Sequence, residues 1–120
     1  MRTWILFAHG SSDPRWVEPF RAILEAVKPK LGEDEVELAF LERQSPTLDE
    51  AVSAAVSRGA TQVRIVPMFL GIGAHLRKDL PERVAAVTQA WPQLQVELTE
   101  SIGESPQMGQ AIAEWIAGLR

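Results

Sequence analysis

The amino-acid sequence predicts an α/β domain in which four short β-strands alternate with four amphipathic helices. Two observations predict this fold class. Short apolar runs recur along the chain, and each is followed by a segment whose apolar residues lie three or four positions apart. Glycine, proline and serine mark most of the boundaries between these segments. Such regular alternation is typical of a mainly parallel sheet with helices on both faces.

The first two strands are predicted at residues 3–8 and 36–41. The first is a continuous apolar run, as expected of a strand that is buried on both faces. Thr47 and Glu50 have the spacing of a capping box, so the second helix is expected to begin there. Pro19 is compatible with the first helix only if it lies in the first turn. One face of that first helix is apolar and consists of Val17, Phe20, Leu24, Val27 and Leu31.

The third strand is predicted at residues 62–66, with a possible extension through residue 70. A loop over residues 71–75 is expected to follow, and it contains His75. The third helix comes next, with Pro81 expected near its start. Its apolar face consists of Leu80, Val84, Val87 and Trp91.

The last strand is predicted at residues 94–98, and the last helix is expected to begin at Ser105-Pro106. Serine at the cap followed by proline at the first helical position is a typical helix start. Trp115 and Trp91 lie on the apolar faces of their helices and are therefore predicted to be core residues. The apolar face of the last helix consists of Met108, Ile112, Trp115 and Leu119.

The predicted element order is βαβαβαβα. With right-handed crossovers, the expected arrangement is a flavodoxin-like, four-stranded parallel sheet in the order 2-1-3-4. In such sheets ligands bind beyond the carboxyl ends of the strands, at the point where the strand order reverses. That point lies between strands 1 and 3, and it is where a functional site is expected.

Composition limits the classes of function that the chain can have. Its 120 residues predict one domain, 1–120, which is large enough for a real core. Without cysteine there is no thiolate nucleophile and no thiolate-based zinc or iron–sulfur site. The net charge of −4 argues against a nucleic-acid partner, and no apolar run is long enough to span a membrane. The sequence therefore predicts a cytoplasmic protein without nucleic-acid or membrane partners.

The two histidines and one glutamate are predicted to meet at the expected site. His9 follows strand 1, His75 follows strand 3, and Glu42 ends strand 2. Neighbouring strands lie about 4.8 Å apart, so these side chains can line one rim. Two imidazoles and a carboxylate suit Fe²⁺, Co²⁺ or Ni²⁺ and leave coordination positions open. They are too few for a closed structural zinc site.

Structural interpretations of the same residues stay open. A histidine after a strand often satisfies nearby backbone groups, and a lone glutamate there is often a solvated carboxylate. The hydroxyls of Ser11 and Ser12 can bind a ligand or cap the first helix, since the pattern of a nucleophile elbow is absent. Gly71 and Gly73 lack the third glycine of a dinucleotide-binding fingerprint. Four basic residues in the same loops can be solvated or can bind an acidic substrate; they are Arg15, Arg43, Arg77 and Lys78.

At these residues the sequence resembles the class II chelatases, and most closely the short sirohydrochlorin chelatases of the CbiX and SirB kind. The matching segments are residues 9–15 after strand 1, residues 40–42 ending strand 2, and residues 67–81 around His75. Their spacing is even, with 33 residues from His9 to Glu42 and 33 more to His75. The resemblance covers nearly the whole chain.

The resemblance implies insertion of Co²⁺ or Fe²⁺ into sirohydrochlorin, on the way to cobalamin or sirohaem. It implies that His9 and His75 bind the metal and that Glu42 assists metal delivery or proton removal. The metal is then a substrate, and no permanently bound cofactor is expected. Longer family members carry two such domains, so this chain resembles the short form that builds its cleft as a homodimer. Substrate binding is assigned to Ser11, Arg15, Arg43, Phe69 and Arg77.

Two other functions are compatible with the same fold. A carrier could bind the tetrapyrrole or the metal without catalysing insertion. An FMN-binding domain would have similar topology, but the loop after strand 1 lacks the Ser, Thr and Gly content that cradles a phosphate. Metal binding and proton acceptance both need neutral imidazole, so activity is expected to fall as the histidines become protonated.

Overall fold

The computed structural model describes residues 1–120 and has the predicted sheet. Four parallel strands lie in the order β2-β1-β3-β4, which confirms the sheet order predicted from the sequence. The strands are β1 (Arg2–Ala8), β2 (Glu35–Phe40), β3 (Gln62–Pro67) and β4 (Gln95–Leu98). The helices are α1 (Glu18–Val27), α2 (Leu48–Ser57), α3 (Ala74–Ala90) and α4 (Pro106–Ala117), with short 3₁₀ turns at Lys28–Lys30 and Ile102–Glu104.

The larger part of the core lies between the sheet and helices α2 and α3. Ile5, Phe7, Val63 and Ile65 point from β1 and β3 into this core and are fully buried. Because Ile5 pairs with Ile65 in the parallel register, their side chains lie on the same face of the sheet. Val52 of α2 packs on this layer. The two central strands are thereby fixed, and their carboxyl ends lie at one edge.

A smaller core lies on the opposite face, beneath α1. Leu6 pairs with Leu38 in the register of β1 and β2, and Val17 at the start of α1 packs with them. Phe40 at the end of β2 belongs to the same cluster, and Trp16 packs against it with ring centroids 6.2 Å apart. Helix α1 thus covers β2 and part of β1 on this face.

Several predicted helix starts are confirmed. Thr47 accepts a hydrogen bond from the Glu50 amide, and the Glu50 carboxylate accepts one from the Thr47 amide, which completes the capping box. Pro19 lies in the first turn of α1, where its missing N–H costs nothing. Ser105 caps α4 and is followed by Pro106 at the first helical position. No helix in the structure is long and apolar enough to cross a membrane.

The structure corrects three expectations about element boundaries and burial. Strand β3 ends at Pro67 and does not extend through residue 70, although the Met68 amide still donates to the Phe7 carbonyl of β1 at 2.8 Å. Helix α3 begins at Ala74, so His75 lies in its first turn and Pro81 lies inside the helix. Trp115 is not a core residue, since 67% of its surface is exposed and no residue of α4 is buried.

Candidate active site

The loops after β1 and β2 continue the pairing of their strands, and this places His9 beside Glu42. The Leu41 amide donates to the Ala8 carbonyl at 2.9 Å, and the Glu42 amide donates to the His9 carbonyl at 3.1 Å. Gly10 follows with φ = 97°, a conformation that residues with a side chain rarely adopt. A Cβ at Gly10 would also collide with the Glu42 carbonyl oxygen. Glycine is therefore required here for the two loops to approach so closely.

His9 and Glu42 form a hydrogen-bonded pair at the carboxyl edge of the sheet. His9 Nε2 lies 3.1 Å from Glu42 Oε1, and each side chain is about half exposed, at 53% and 50%. An ionised carboxylate only accepts hydrogen bonds, so beside it a neutral imidazole would donate from Nε2 and keep a free lone pair on Nδ1. The Arg43 guanidinium lies 3.5 Å from the same carboxylate oxygen, so Glu42 has a cation as a second neighbour.

Phe69 supports the His9 ring from within the core. The two rings meet edge to face, with centroids 6.4 Å apart, and Phe69 meets Phe7 in the same way at 6.3 Å. Phe69 is buried, whereas His9 is exposed. The sequence assigned Phe69 to substrate binding, and the structure places it beneath His9 as a packing partner of that ring.

His75 forms no hydrogen bond or ion pair with His9 or Glu42. It is exposed in the first turn of α3, directly after the Gly73 cap and Ala74. No group of three His, Cys, Asp or Glu side chains is arranged to hold a metal ion. The structure therefore brings His9 and Glu42 together at the predicted edge and does not add His75 to them as a third ligand.

Two predicted residues of the loop after β1 are fixed by local hydrogen bonds. The Ser11 amide donates to Gln44 Oε1 at 3.0 Å, and the Ser11 hydroxyl accepts from the Asp13 amide at 3.1 Å. Asp13 in turn accepts from the Arg15 amide at 2.9 Å and pairs with the Arg15 guanidinium at 3.3 Å. The Arg15 amide first, and then its guanidinium, lower the pKa of the Asp13 carboxyl. Gln44 was not among the residues that the sequence singled out.

Arg77 borders a small cavity at the same edge, between α3 and the end of β4. Its guanidinium lies 3.0 Å from Glu104 Oε2. The cavity measures about 160 Å³, and its walls include Ile72, Leu76 and Ser101. Sequence reasoning missed Ser101 and Glu104, although their S-x-x-E spacing is typical of a capping box, and the Ser101 amide does donate to the Glu104 carboxylate at 3.4 Å.

Comparison with known proteins gives the family of this chain. The CbiX family model matches residues 3–118. The chain belongs to the CbiX family. This confirms the resemblance seen at the loops around His9, Glu42 and His75.

Proteins similar to this chain differ in length from it. A sirohydrochlorin ferrochelatase from Bacillus subtilis is 31% identical over 113 residues, which are 93% of this chain and 43% of that protein. A sirohydrochlorin cobaltochelatase from Saccharolobus solfataricus is 25% identical over 92% of this chain and 89% of its own length. The chain thus spans less than half the length of the Bacillus relative and nearly all of the archaeal one.

Solved structures of similar proteins share the fold. A putative cobalamin (vitamin B12) biosynthesis CbiX protein from Marinobacter aquaeolei superposes with a TM-score of 0.86 at 35% identity, covering 98% of this chain and 96% of that one. The sirohydrochlorin chelatase SirB from Bacillus subtilis subspecies spizizenii, solved in complex with cobalt, gives 0.81 at 27% identity. It is covered over 50% of its length and this chain over 98%.

Proposed function

We propose that this protein is a chelatase that inserts Co²⁺ or Fe²⁺ into sirohydrochlorin. The observation that carries the proposal is the His9–Glu42 pair, which lies at the carboxyl edge of the sheet where the strand order reverses. Membership of the CbiX family supports it, as do relatives named for both metals, a sirohydrochlorin ferrochelatase and a sirohydrochlorin cobaltochelatase. The choice between cobalt, iron and nickel is left to experiment, because these metals accept the same ligands.

In the proposed mechanism His9 binds the incoming metal, and Glu42 accepts the protons that the macrocycle loses. The hydrogen bond to Glu42 orients the His9 ring and leaves the Nδ1 atom free to bind the metal. Two pyrrole N–H protons must leave the macrocycle as metal–nitrogen bonds form, and a half-exposed carboxylate can accept them and release them to water. The Arg43 guanidinium lies 3.5 Å from the Glu42 carboxylate, so a cation stands beside the proposed proton acceptor.

We propose His75, which follows β3 at the same edge of the sheet, as the second metal ligand beside His9. Its place in the first turn of α3 leaves the imidazole exposed, with no intramolecular hydrogen bond to displace before it binds metal. A homodimer would supply a second set of strand ends opposite the first. The metal leaves with the product in this scheme, so the protein needs no permanently bound cofactor.

The acidic substrate is proposed to bind to cations at the same edge. Arg15, Arg43 and Arg77 are each more than half exposed, so their guanidinium groups remain available to carboxylates despite their intramolecular partners. Ser11 lies in the loop beside them and can donate its hydroxyl proton to a further carboxylate. A cytoplasmic location stays a prediction from the sequence.

The test is anaerobic metallation of sirohydrochlorin by the purified protein with Co²⁺, followed by visible absorption against a protein-free control. We expect many turnovers, and loss of most of the rate in His9→Ala, His75→Ala and Glu42→Gln. Glu33→Gln is the matched control, because it makes the same substitution at an exposed carboxylate before β2, at the opposite edge of the sheet. A rate equal to the protein-free control with Co²⁺, Fe²⁺ and Ni²⁺ would refute the proposal. Binding of one equivalent without turnover would instead favour a carrier.

A further inference from the structure

The loops after β1 and β2 are joined beyond the His9–Glu42 pair by a single side chain. Gln44 Oε1 accepts a hydrogen bond from the Ser11 amide at 3.0 Å. No backbone hydrogen bond connects the two loops after the one from the Glu42 amide to the His9 carbonyl. Ser11 and Gln44 are 33 positions apart, the same separation as in the His9–Glu42 pair. The Gln44 side chain therefore continues the pairing of the two loops by one further step.

The backbone of each loop turns just after the pair. Gly10 follows His9 with φ = 97°, and Arg43 follows Glu42 with φ = 68°. Residues with a side chain rarely adopt such a left-handed conformation, so the backbone of Arg43 is strained. A strained residue persists only where the surrounding structure holds it. Because both backbones turn at these positions, the next link between the loops has to come from a side chain.

The chain on each side of the Ser11–Gln44 hydrogen bond is itself ordered. In the loop after β1, the Ser11 hydroxyl accepts from the Asp13 amide at 3.1 Å. In the loop after β2, the Phe40 amide donates to the Pro46 carbonyl at 2.9 Å and closes the segment that contains Gln44. The hydrogen bond thus connects two closed turns, and the position of one turn determines the position of the other.

The Ser11–Gln44 hydrogen bond is also less open to water than the pair beside it. Gln44 and Ser11 are half-buried, whereas Arg43 and Ser45, the neighbours of Gln44 in the chain, are exposed. His9 and Glu42 are exposed as well. A hydrogen bond that is partly shielded from water is electrostatically stronger than an exposed one. The link that lies nearest to the pair is therefore the better protected of the two.

We propose that Gln44 is a positioning residue, which fixes the loop of Glu42 against the loop of His9 through the Ser11 amide. The proposal rests on the chelatase function proposed above and names a residue that this function needs. Without the hydrogen bond, the strained turn at Arg43 can relax, and the Glu42 carboxylate moves relative to the His9 ring. A single neutral hydrogen bond biases two arrangements by about 2- to 10-fold, which sets the expected size of the effect.

Three substitutions at Gln44 separate the hydrogen bond from the volume of the side chain. Gln44→Met keeps the length and loses the oxygen acceptor. Gln44→Asn keeps the acceptor on a side chain that is one methylene shorter, which draws it back from the Ser11 amide. Gln44→Glu keeps both the length and an acceptor. Gln89→Met is the matched control, because it makes the same change at an exposed glutamine near the end of α3, at the opposite edge of the sheet.

The first measurement is the metallation of sirohydrochlorin with Co²⁺. We expect kcat to fall about 2- to 10-fold in Gln44→Met and Gln44→Asn, and to stay unchanged in Gln89→Met. Gln44→Glu should keep the kcat of the unmodified protein and raise KM, because its added charge repels an acidic substrate. An unchanged kcat in Gln44→Met would overturn the proposal. So would an equal loss of kcat in Gln44→Glu, since the acceptor would then not be what matters.

The tautomer of His9 gives a second measurement that does not depend on catalysis. The chain has two histidines, so long-range proton–nitrogen NMR spectra of the metal-free protein can resolve the ring of each. At about pH 8, where imidazole is normally neutral, we expect His9 to carry its proton mainly on Nε2, which faces Glu42. This form should lose population in Gln44→Met and keep it in Gln44→Glu. The His75 ring should be the same in all variants.

The two measurements together distinguish the failure of this proposal from the failure of the proposed function. A purely structural role for Gln44 would lower the melting temperature of Gln44→Met and leave kcat and the His9 tautomer unchanged, which would overturn the proposal. If the unmodified protein did not metallate sirohydrochlorin, the proposed function would fail. The His9 tautomer in Gln44→Met would then decide by itself whether Gln44 positions the pair.

Discussion

Substitution of Gly10 by alanine is the sharpest test of how the His9–Glu42 pair is built. Gly10 has φ = 97°, and a Cβ there would lie 3.0 Å from the Glu42 carbonyl carbon and 3.3 Å from Phe40 Cβ, with the Glu42 carbonyl oxygen closer still. The backbone must therefore shift, and the shift separates the two loops that hold the pair. Gly59 provides the control, because its φ is 95° and a Cβ there meets nothing within 4 Å.

The expected magnitudes follow from these two positions. A positive φ costs an alanine roughly 1–2 kcal/mol, and both variants carry this cost. Overpacking adds about 1–3 kcal/mol at Gly10 alone. Since 1 kcal/mol shifts the melting temperature of a domain of this size by roughly 4 °C, Gly59→Ala should lower it by about 4–8 °C and Gly10→Ala by about 8–20 °C. A displacement of about 1 Å at the pair should also lower the metallation rate on the order of 100-fold.

The assay combines thermal unfolding by circular dichroism with metallation at a temperature where both variants are folded. We expect Gly59→Ala to keep the rate of the unmodified protein while Gly10→Ala loses most of it. If Gly10→Ala were no less stable than Gly59→Ala and equally active, the close approach of the two loops would not be what positions the His9–Glu42 pair.

Three further substitutions test other parts of the molecule. Thr47→Ala removes half of the capping box of α2 and should lower the free energy of unfolding, measured in urea, by about 0.5–2 kcal/mol, with no loss of metallation rate. An unchanged urea midpoint would mean that the cap does not stabilise α2. Ser101→Ala removes the buried hydroxyl that bonds the Phe69 carbonyl, and because the Gly103 amide still donates to that carbonyl, the cost should be about 0.5–1.5 kcal/mol. A neutral result would mean that the Gly103 amide alone satisfies the carbonyl. The hydrogen bond from Arg64 lowers the pKa of the Glu97 carboxyl, so this ion pair stabilises the protein above the unfolded value and its contribution is lost as the pH falls through the folded value. Glu97→Gln should therefore lower the melting temperature at neutral pH, and the difference from the unmodified protein should shrink as the pH falls below the unfolded value of about 4.3; a difference that stays constant over that range would have another cause.

The sheet could be predicted from the sequence because its determinants are local. Apolar runs and helical periodicity give the elements, and right-handed crossovers leave few possible strand orders. Once β1 and β2 are neighbours, the proximity of His9 and Glu42 follows from their positions at the strand ends. The capping box at Thr47 could also be predicted from the sequence, because its two residues are only three positions apart in the chain.

The remaining errors have physical causes. The start of α3 was missed because glycines at 71 and 73 favoured a loop, although Leu76 continues the apolar face of that helix by one turn. The sequence predicted Trp115 to be a core residue because an amphipathic pattern shows that α4 has an apolar face. The pattern does not show which surface, if any, of the same domain covers that face. The contact between Gln44 and the Ser11 amide joins two loops, and no periodicity encodes such a contact.

The stack of Phe7, Phe69 and His9 has a consequence for how this protein can be altered by selection or design. The Phe69 ring fills the core and also packs against the His9 imidazole, so a substitution at Phe69 should change both the stability of the protein and the orientation of His9. Glu42 and Arg43 have no such link, since both are surface side chains. Substitutions on the carboxylate side can therefore change the surroundings of His9 without a penalty in core packing, whereas a substitution on the aromatic side changes the core and the position of the imidazole together.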